Sequence, residues 1–551
     1  MKMQRRLLAI LMILVLAFVT ACGGGGGGGN PTGTAGGNTA PPAGGDPVYG
    51  GTLVINGGSD IDAAIGLPER LMLQGLGLLC PWVETLAIAH KDGSVEPWLA
   101  ESWVVDEDAG AINFKLREGV KFTDGSDFNA DVAVWNYRRI METGAMNSLM
   151  TGVEKVSDYE IRVQLRYYSS GMWGGFVSRG YGFISQKNYE ENGLEYALEH
   201  PVGTGPFILD DRVAGSHVTF KKNENYWQEG KPYLDALRFV GIQDQTTLQE
   251  SMKDTGPTAV DVANTFNAES VFMLLNSGAP VYVQQMPMGP LCLLPGSADA
   301  KTFELNDSPL AKKEVREAIS YALNRDAIIA ARGFGVNTPA YQMFPEGYQG
   351  HLDEAAVKGT PMDPAAGYDV EKAKQMLADA GYPNGFTTTL YIAWGLADPD
   401  AMTAVQEQLK AVGITVNLES PEGGLFFELR NDWGNGNIFT MNVRALETEA
   451  STIGLNFDYE HLYQNSTWRP ADEMEPIQEV IGRTYNPERP MAVEKDNIQA
   501  LVKLLMVDHY IMIPLYDMYD CYVIRNGVQG GGWADWGSGT VWVPGDAWKD
   551  A

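Results

Sequence analysis

The apolar positions of this chain follow two periods that alternate along much of its length. Ile112, Phe114 and Leu116 alternate with Asn113, Lys115 and Arg117, and Ile161, Val163 and Leu165 repeat the spacing, which predicts half-buried antiparallel strands. Ile414, Val416 and Leu418 alternate likewise, whereas residues 51–56, 237–240, 259–262 and 291–295 are short apolar runs that suit more deeply buried strands. Helical spacing falls between them. Asn129 is placed to cap a helix carrying Val132, Trp135 and Ile140 inward, and residues 246–252 predict a short helix. Ser308 and Pro309 open a helix with Val315, Ile319, Ala322 and Leu323 on one face. Asp369 leads into Val370, Ala373, Leu377 and Ala380, closed by Gly381 and Pro383. Asp398-Pro399 starts a helix with Met402, Val405 and Leu409, ended by Gly413, and Ile498, Leu501, Val502 and Leu505 mark the last long one. Residues 510–516, broken by Pro514, predict a returning strand. Such alternation of strand and helix predicts an α/β fold, and 44% hydrophobic content is enough for two or three domains with real cores.

The amino-terminal segment breaks this pattern. A basic start, Met1 to Arg6, precedes an apolar run over 7–18 that is too short to span a bilayer and reads as a secretory signal. Val19-Thr20-Ala21-Cys22 resembles a bacterial lipobox, in which Cys22 becomes a lipidated mature N-terminus; an ordinary signal with Cys22 incidental is the alternative. Several acyl chains anchor a protein firmly where one does not. Residues 23–47 are nearly all Gly, Pro, Thr, Asn and Ala, a flexible tether with an r.m.s. span of roughly 27 Å. No second stretch is long and apolar enough to cross a bilayer.

The formal charge is −30, and cleavage of the signal removes three more cations. A chain this acidic repels nucleic acid and excludes a polybasic mode of membrane binding. Cys22 aside, Cys80, Cys292 and Cys521 remain, and an odd number outside the cell leaves at least one free thiol. The histidines (His90, His200, His217, His351, His461 and His509) are scattered with no i, i+4 pair and no Cys-x-x-Cys, so no metal centre is expected. The sequence has no nucleophile elbow, no phosphate loop and no Gly-x-Gly-x-x-Gly opening a helix after a strand, and neither catalysis nor a cofactor is expected.

One stretch organises the rest. Pro201-Val202-Gly203-Thr204-Gly205-Pro206-Phe207 alternates rigid and permissive backbone, a fixed turn. Ile208-Leu209 and Val218 to Phe220 then flank a turn at Gly215-Ser216, and Asn223 to Trp227 and Gly230 to Asp235 form a polar, aromatic-studded connection. This PVGTGPF…NENYW…GKPYLD series closely resembles the signature of the family 5 solute-binding proteins, the receptors of oligopeptide-type ABC importers. Lys313 to Arg325 and residues 116–125 also match that family, and the likeness runs from about Gly50 to about Asn526.

The resemblance implies a periplasmic binding protein-like type II architecture: two α/β lobes joined by crossover strands, with a small subdomain inserted in the first lobe. Carried onto this chain, it gives a signal at 1–21, a tether at 22–47 and first-lobe segments at 48–82, 200–295 and 512–551. The inserted subdomain takes 83–199 and the second lobe 296–511. Hinges are expected near Pro295 and Pro514. It also places Cys292 and Cys521 near the crossover strands, where a disulfide and two buried thiols both stay open. Peptide-binding relatives carry Gly-Trp-x-x-Asp where this chain has residues 442–449; an ungapped placement sets Arg444 at the Trp position and Glu447 at the Asp position. Arg offers a planar fork for carboxylate and Glu an acceptor for ammonium, although both also suit solvated loop charges. Trp394, Trp433, Tyr463, Trp468 and Tyr516 are further candidates for the cleft walls. The implied protein is a monomeric, extracytoplasmic, lipid-anchored receptor that hands a peptide-like solute to ABC permease subunits. An oligosaccharide receptor of the same fold, a sensory receptor and a secreted hydrolase are the alternatives.

Overall fold

The computed structural model describes residues 45–550 except 58–60, 62–63, 72–75, 91–93, 107, 144–149, 167–169, 257–258, 297–306, 347, 394–395, 423–424, 427, 430–435, 443–470, 485–492, 534 and 536–540. Strand β1 (Thr52–Asn56) is buried from Leu53 to Asn56, since both of its faces are covered. A hairpin of β2 (Ala87–Ala89) and β3 (Val95–Pro97) leads to a separate antiparallel sheet. That sheet comprises β4 (Ala100–Asp106), β5 (Ala111–Leu116), β6 (Met150–Ser157) and β7 (Glu160–Leu165), in the order β4-β5-β7-β6. Its inner face carries Ile112, Phe114, Leu116, Ile161, Val163 and Leu165 against Ala133, Tyr137 and Ile140 of helix Ala130–Glu142. Asn129 caps that helix, accepting from the Val132 amide at 3.2 Å.

β8 (Phe207–Val213) and β9 (His217–Lys222) then form a hairpin, and β10 (Ala236–Val240) and β11 (Val262–Thr265) lie parallel to β1 on its two sides. The 15-residue β12 (Val281–Pro295) leaves this first lobe for the second. There β13 (Thr338–Pro339), β14 (Phe386–Tyr391), β15 (Ile414–Glu419) and β16 (Ile438–Asn442) alternate with helices. β17 (Ile513–Arg525) runs back antiparallel to β12, and the pair β18 (Val528–Gln529) and β19 (Trp548–Lys549) follows. The main sheet has the order β15-β14-β16-β12-β17-β11-β1-β10-β9-β8, with β13 beside β17.

Each lobe buries both faces of its part of the sheet. In the first, Leu53, Ile55, Leu237 and Ile524 pack with Trp82, Trp533 and Trp542, while Val54, Ala263 and Val523 pack under helices Gln245–Lys253 and Ala268–Leu275. In the second, Leu293, Leu390, Ile414 and Ile438 meet Val315, Ile319, Met402 and Leu409, and Cys292, Leu294 and Met441 meet Ile477, Ile498 and Leu501 on the opposite face. Fully burying each such side chain stabilises by about 1.5–3 kcal/mol, so either lobe has a core of its own. These are two α/β lobes joined by two crossover strands, with a small sheet inserted in the first. Ser308 departs from expectation in detail: it caps only the short turn Pro309–Ala311, and helix Lys313–Tyr321 starts separately. Among the described residues no helix is long and apolar enough to cross a membrane.

Candidate functional site

The stretch that organises the sequence folds into a knot, built on close approach of backbones. A Cβ on Gly203 would come within 2.0 Å of the Trp82 carbonyl oxygen, and one on Gly205 within 2.6 Å of Trp82 Cα, so only glycine fits at either position. The approach lets the Gly205 amide donate to the Trp82 carbonyl at 3.0 Å and the Phe207 amide to that of Pro81 at 2.8 Å. Asn223 donates from Nδ2 to the Gly205 carbonyl at 3.0 Å.

At the centre lies Glu84, 1% exposed. Its Oε1 accepts from Trp98 Nε1 at 2.7 Å and from the Tyr226 hydroxyl at 2.7 Å. Its Oε2 accepts from Thr204 Oγ1 at 2.8 Å and Trp227 Nε1 at 2.9 Å. Burial pushes the Glu84 carboxyl above the usual carboxylate range, opposed by the Tyr226, Trp227 and Thr204 donors and by the Arg179 charge. Trp98 belongs to the core of the inserted sheet and Trp227 packs against that core, so the knot ties the subdomain to its lobe. It is a structural joint.

The place for a ligand follows from strand direction. β1, β10 and β11 run parallel, antiparallel to β17, and β14 and β16 run parallel to each other and antiparallel to β12. Because β12 and β17 are themselves antiparallel, the carboxyl ends of β1, β10 and β11 face those of β14 and β16 across the middle of the crossover pair. Open α/β sheets bind ligands outside the carboxyl ends of their strands.

β11 last pairs with β17 at Cys521, and β16 last pairs with β12 at Leu291, itself opposite Tyr516. Between these limits the lobes are joined through residues 286–290 and 517–520. Met286-Pro287-Met288-Gly289-Pro290 is poorly suited to a strand: two residues lack an N–H, Gly289 has φ 84°, and the register shifts between Pro287 and Gly289. Polar groups gather at this waist. Asn264, at the end of β11, donates to Asp520 Oδ1 at 2.7 Å, and Asn442 Nδ2 donates to the Gly289 carbonyl at 3.1 Å. Asp517 is out of phase with Asp520 and so lies on the other face, beside Thr338 of β13. Burial pushes its carboxyl up to about 7, against a hydrogen bond from Thr338.

Trp394, Trp433, Arg444, Glu447, Tyr463, Trp468 and Cys22 lie outside the described residues. Tyr516, expected on a cleft wall, is 2% exposed and packed in the second lobe's core. Pro295 pairs with Ile438 and Pro514 with Cys292, both on the second-lobe side of the waist, and the Pro514 carbonyl accepts from Arg325 Nε at 2.7 Å. Cys80, Cys292 and Cys521 are all buried free thiols, which removes the possible disulfide. Cys521 pairs with Gln285, seven residues along β12 from Cys292 and so roughly 23 Å away, whereas a disulfide needs Cα atoms within about 7 Å. Among the described residues no group of three His, Cys, Asp or Glu is arranged to hold a metal ion. The sequence reading missed Glu84 and the waist residues Asn264, Asn442 and Asp520. A lone acid inside the apolar run Trp82 to Leu86 was a usable signal for the first; nothing local marks the others.

Residues 94–459, well over half of the chain, match the family described as bacterial extracellular solute-binding proteins, family 5 Middle. The glutathione-binding protein GsiB of Shigella boydii serotype 4 is 29% identical over 343 residues, 61% of this chain and 62% of that protein. Heme-binding protein A of Haemophilus influenzae is 31% identical over 371 residues, 60% of this chain and 62% of that protein. The chain is thus matched over less than two thirds of the length of these curated relatives. The fold is shared with the ABC transporter-associated periplasmic binding protein DppA from Helicobacter pylori, solved in complex with the peptide STSA, at a TM-score of 0.72 and 19% identity over 92% of this chain and 99% of that one. Opposed strand ends across a two-strand waist, and a signature knot that ties a small subdomain to the first lobe, are the setting of that match: the chain belongs to the bacterial extracellular solute-binding proteins of family 5.

Proposed function

We propose that this chain is the solute receptor of an ABC-type importer, closing its two lobes over a peptide or peptide-like compound and presenting it to membrane permease subunits. The observation that carries this reading is the pair of opposed strand ends joined by a waist of prolines and a left-handed glycine, a place to bind and a place to bend. The hinge is then residues 286–290 with 517–520, in place of Pro295 and Pro514. A peptide brings both donors and acceptors, which suits the amides of Asn264 and Asn442 and the carboxylate of Asp520. The relatives named for glutathione and heme and the neighbour holding a peptide support a small-solute receptor rather than an enzyme. Arg444 and Glu447 add a cation fork and an anion to the cleft. Cys22 carries the lipid, and the Gly-rich tether lets a monomeric receptor reach its permease from the membrane surface; intact mass of the processed protein checks the modification.

Native mass spectrometry of the purified protein identifies a retained solute, and calorimetry with that compound tests the site. Leaving one charged ligand group unpaired in a closed cleft costs about 2–5 kcal/mol, so Arg444→Ala weakens binding at least tenfold while the ligand-free melting temperature stays put. If Arg444→Ala and Glu447→Ala both bind like wild type, the charged site is wrong and a sugar pocket walled by Trp394, Trp433 and Trp468 replaces it. Saturating ligand shrinks the radius of gyration in small-angle scattering; an unchanged radius speaks against closure.

A further inference from the structure

The lobes also meet beside the waist, through an exchange of side chains. Phe266, just after β11 of the first lobe, packs against the second lobe's main core. In return, the loop after the second-lobe helix Arg325–Arg332 reaches the first lobe. There Val336, 5% exposed, sits in the core with Val54, Val271 and Val523, and the Phe334 ring lies 5.6 Å from that of Phe272. The loop is held tightly. Phe334 has φ 49°, a left-handed conformation that a bulky residue keeps only when its surroundings demand it, and a Cβ on Gly333 would meet Ile329 Cγ2 at 2.6 Å.

Arg332 stands over the Phe334 ring at 4.9 Å and serves both lobes. Its Nε donates to Asp398 Oδ2 at 3.0 Å, and Nη2 lies 3.3 Å from Asp400 Oδ2, both carboxylates at the start of the second-lobe helix Pro399–Ala411. Nη2 also donates to Glu269 Oε2 at 3.1 Å, on the first-lobe helix Ala268–Leu275. The two in-lobe carboxylates keep the guanidinium paired if the Glu269 contact opens, so that contact can break without stranding a charge. The apolar exchange has no such alternative, because separating it would expose Phe266, Phe334 and Val336 together.

We propose that Phe266, Phe334 and Val336 form the pivot on which the lobes rock, and that Glu269–Arg332 is a releasable tie biasing them toward the arrangement seen here. The inference rests on the lobe closure of the proposed function. The Glu269 side chain is 51% exposed, so the tie is worth only about a two- to fivefold shift in the populations of the two arrangements, and salt screens it.

The test uses ligand-free protein carrying Cys22→Ser, with spin labels at Val213→Cys and Lys410→Cys, both exposed positions on different lobes; the described thiols Cys80, Cys292 and Cys521 are buried. Pulsed dipolar spectroscopy then gives the interlobe distance distribution. Glu269→Gln is expected to change the ratio of two distance populations about two- to fivefold at low salt, with Glu269→Lys moving it further the same way. Raising NaCl to about 1 M shifts wild type in that direction and leaves Glu269→Gln unmoved. Superimposable distributions for wild type and Glu269→Gln at low salt, or an equal salt response in both, overturn the tie. A wild-type distribution that does not move when saturated with its co-purified solute overturns closure itself, a result separate from failure of the tie.

Discussion

Two carboxylates, one buried and one half-buried, show how differently this molecule treats its knot and its waist. Glu84 in the knot accepts four hydrogen bonds, from Trp98, Thr204, Tyr226 and Trp227, with the Arg179 guanidinium near by. Asp517 at the waist has a hydrogen bond from Thr338 and is held up to about 7 by burial. The knot is over-determined: two glycines that tolerate no Cβ, backbone bonds to Pro81 and Trp82, and a carboxylate with every acceptor direction used. The waist is under-determined, a strand with two prolines and a left-handed glycine. The signature residues sit where the backbone has no room to move, and the proposed hinge sits where the ladder is thinned.

The largest effect expected of any single change therefore lies in the knot. Glu84→Ala strands four donors, on the buried Trp98 and Thr204 and the half-buried Tyr226 and Trp227, and removes the acceptor group beside Arg179, which should cost about 3–5 kcal/mol of stability. Urea unfolding followed by tryptophan fluorescence measures it directly, because Trp98 and Trp227 both bond to this carboxylate. A loss below about 1 kcal/mol would mean that the knot is no more rigid than the waist, and the contrast would collapse.

Much of the framework was legible because its signals are local. The alternation at Ile112 to Leu116 and Ile161 to Leu165 became the inserted sheet, and Asn129, Asp369 and Asp398 cap the helices they precede. The crossover strands look short in the sequence for an equally physical reason. β12 begins at Val281 rather than at 291, since Pro287, Gly289 and Pro290 look like a loop until a long partner strand holds them extended. β17 continues to Arg525 because Cys521 and Val523 pair with both β11 and β12, a fact of tertiary context. The cleft was legible only by resemblance. Asn264, Asn442 and Asp520 lie on three different strands, and no spacing rule brings them to one place.

At the waist the next effect is one of pH. The folded Asp517 carboxyl titrates near 7, above its unfolded value of about 3.9, so its contribution to stability is complete below about pH 4 and is lost as pH rises through 7. Linkage over that interval amounts to about 2–4 kcal/mol once partial exposure is allowed for. Asp517→Asn removes the dependence. The stability difference between wild type and this variant, taken from urea curves at pH 4.5 and pH 8, should therefore move by about that amount, with wild type relatively better in acid. A difference independent of pH would show that Asp517 is ionised in the folded state, and the waist would be as well satisfied as the knot.

The smallest effect sharpens the comparison most, because it separates stability from motion. Gly289 holds φ 84° at the end of the register shift that begins at Pro287, so Gly289→Ala places a side chain in a left-handed conformation. That strain is about 1–2 kcal/mol, less than half of what Glu84→Ala should cost. The variant has an escape that the knot does not offer. Pro287 and Pro290 have already removed ladder bonds, so the local backbone can relax out of the positive-φ region without breaking pairs elsewhere. Relaxation at that point changes the angle at which β12 enters the second lobe. Gly289→Ala should therefore unfold at nearly the wild-type urea midpoint while its ligand-free radius of gyration differs from wild type. A Gly205→Ala change in the knot should show the reverse, a large loss of midpoint and, in whatever folds, an unchanged radius. If Gly289→Ala loses as much stability as Gly205→Ala with no change in radius, the stretch 286–290 is a rigid strand, and the bend must be sought elsewhere along β12 and β17.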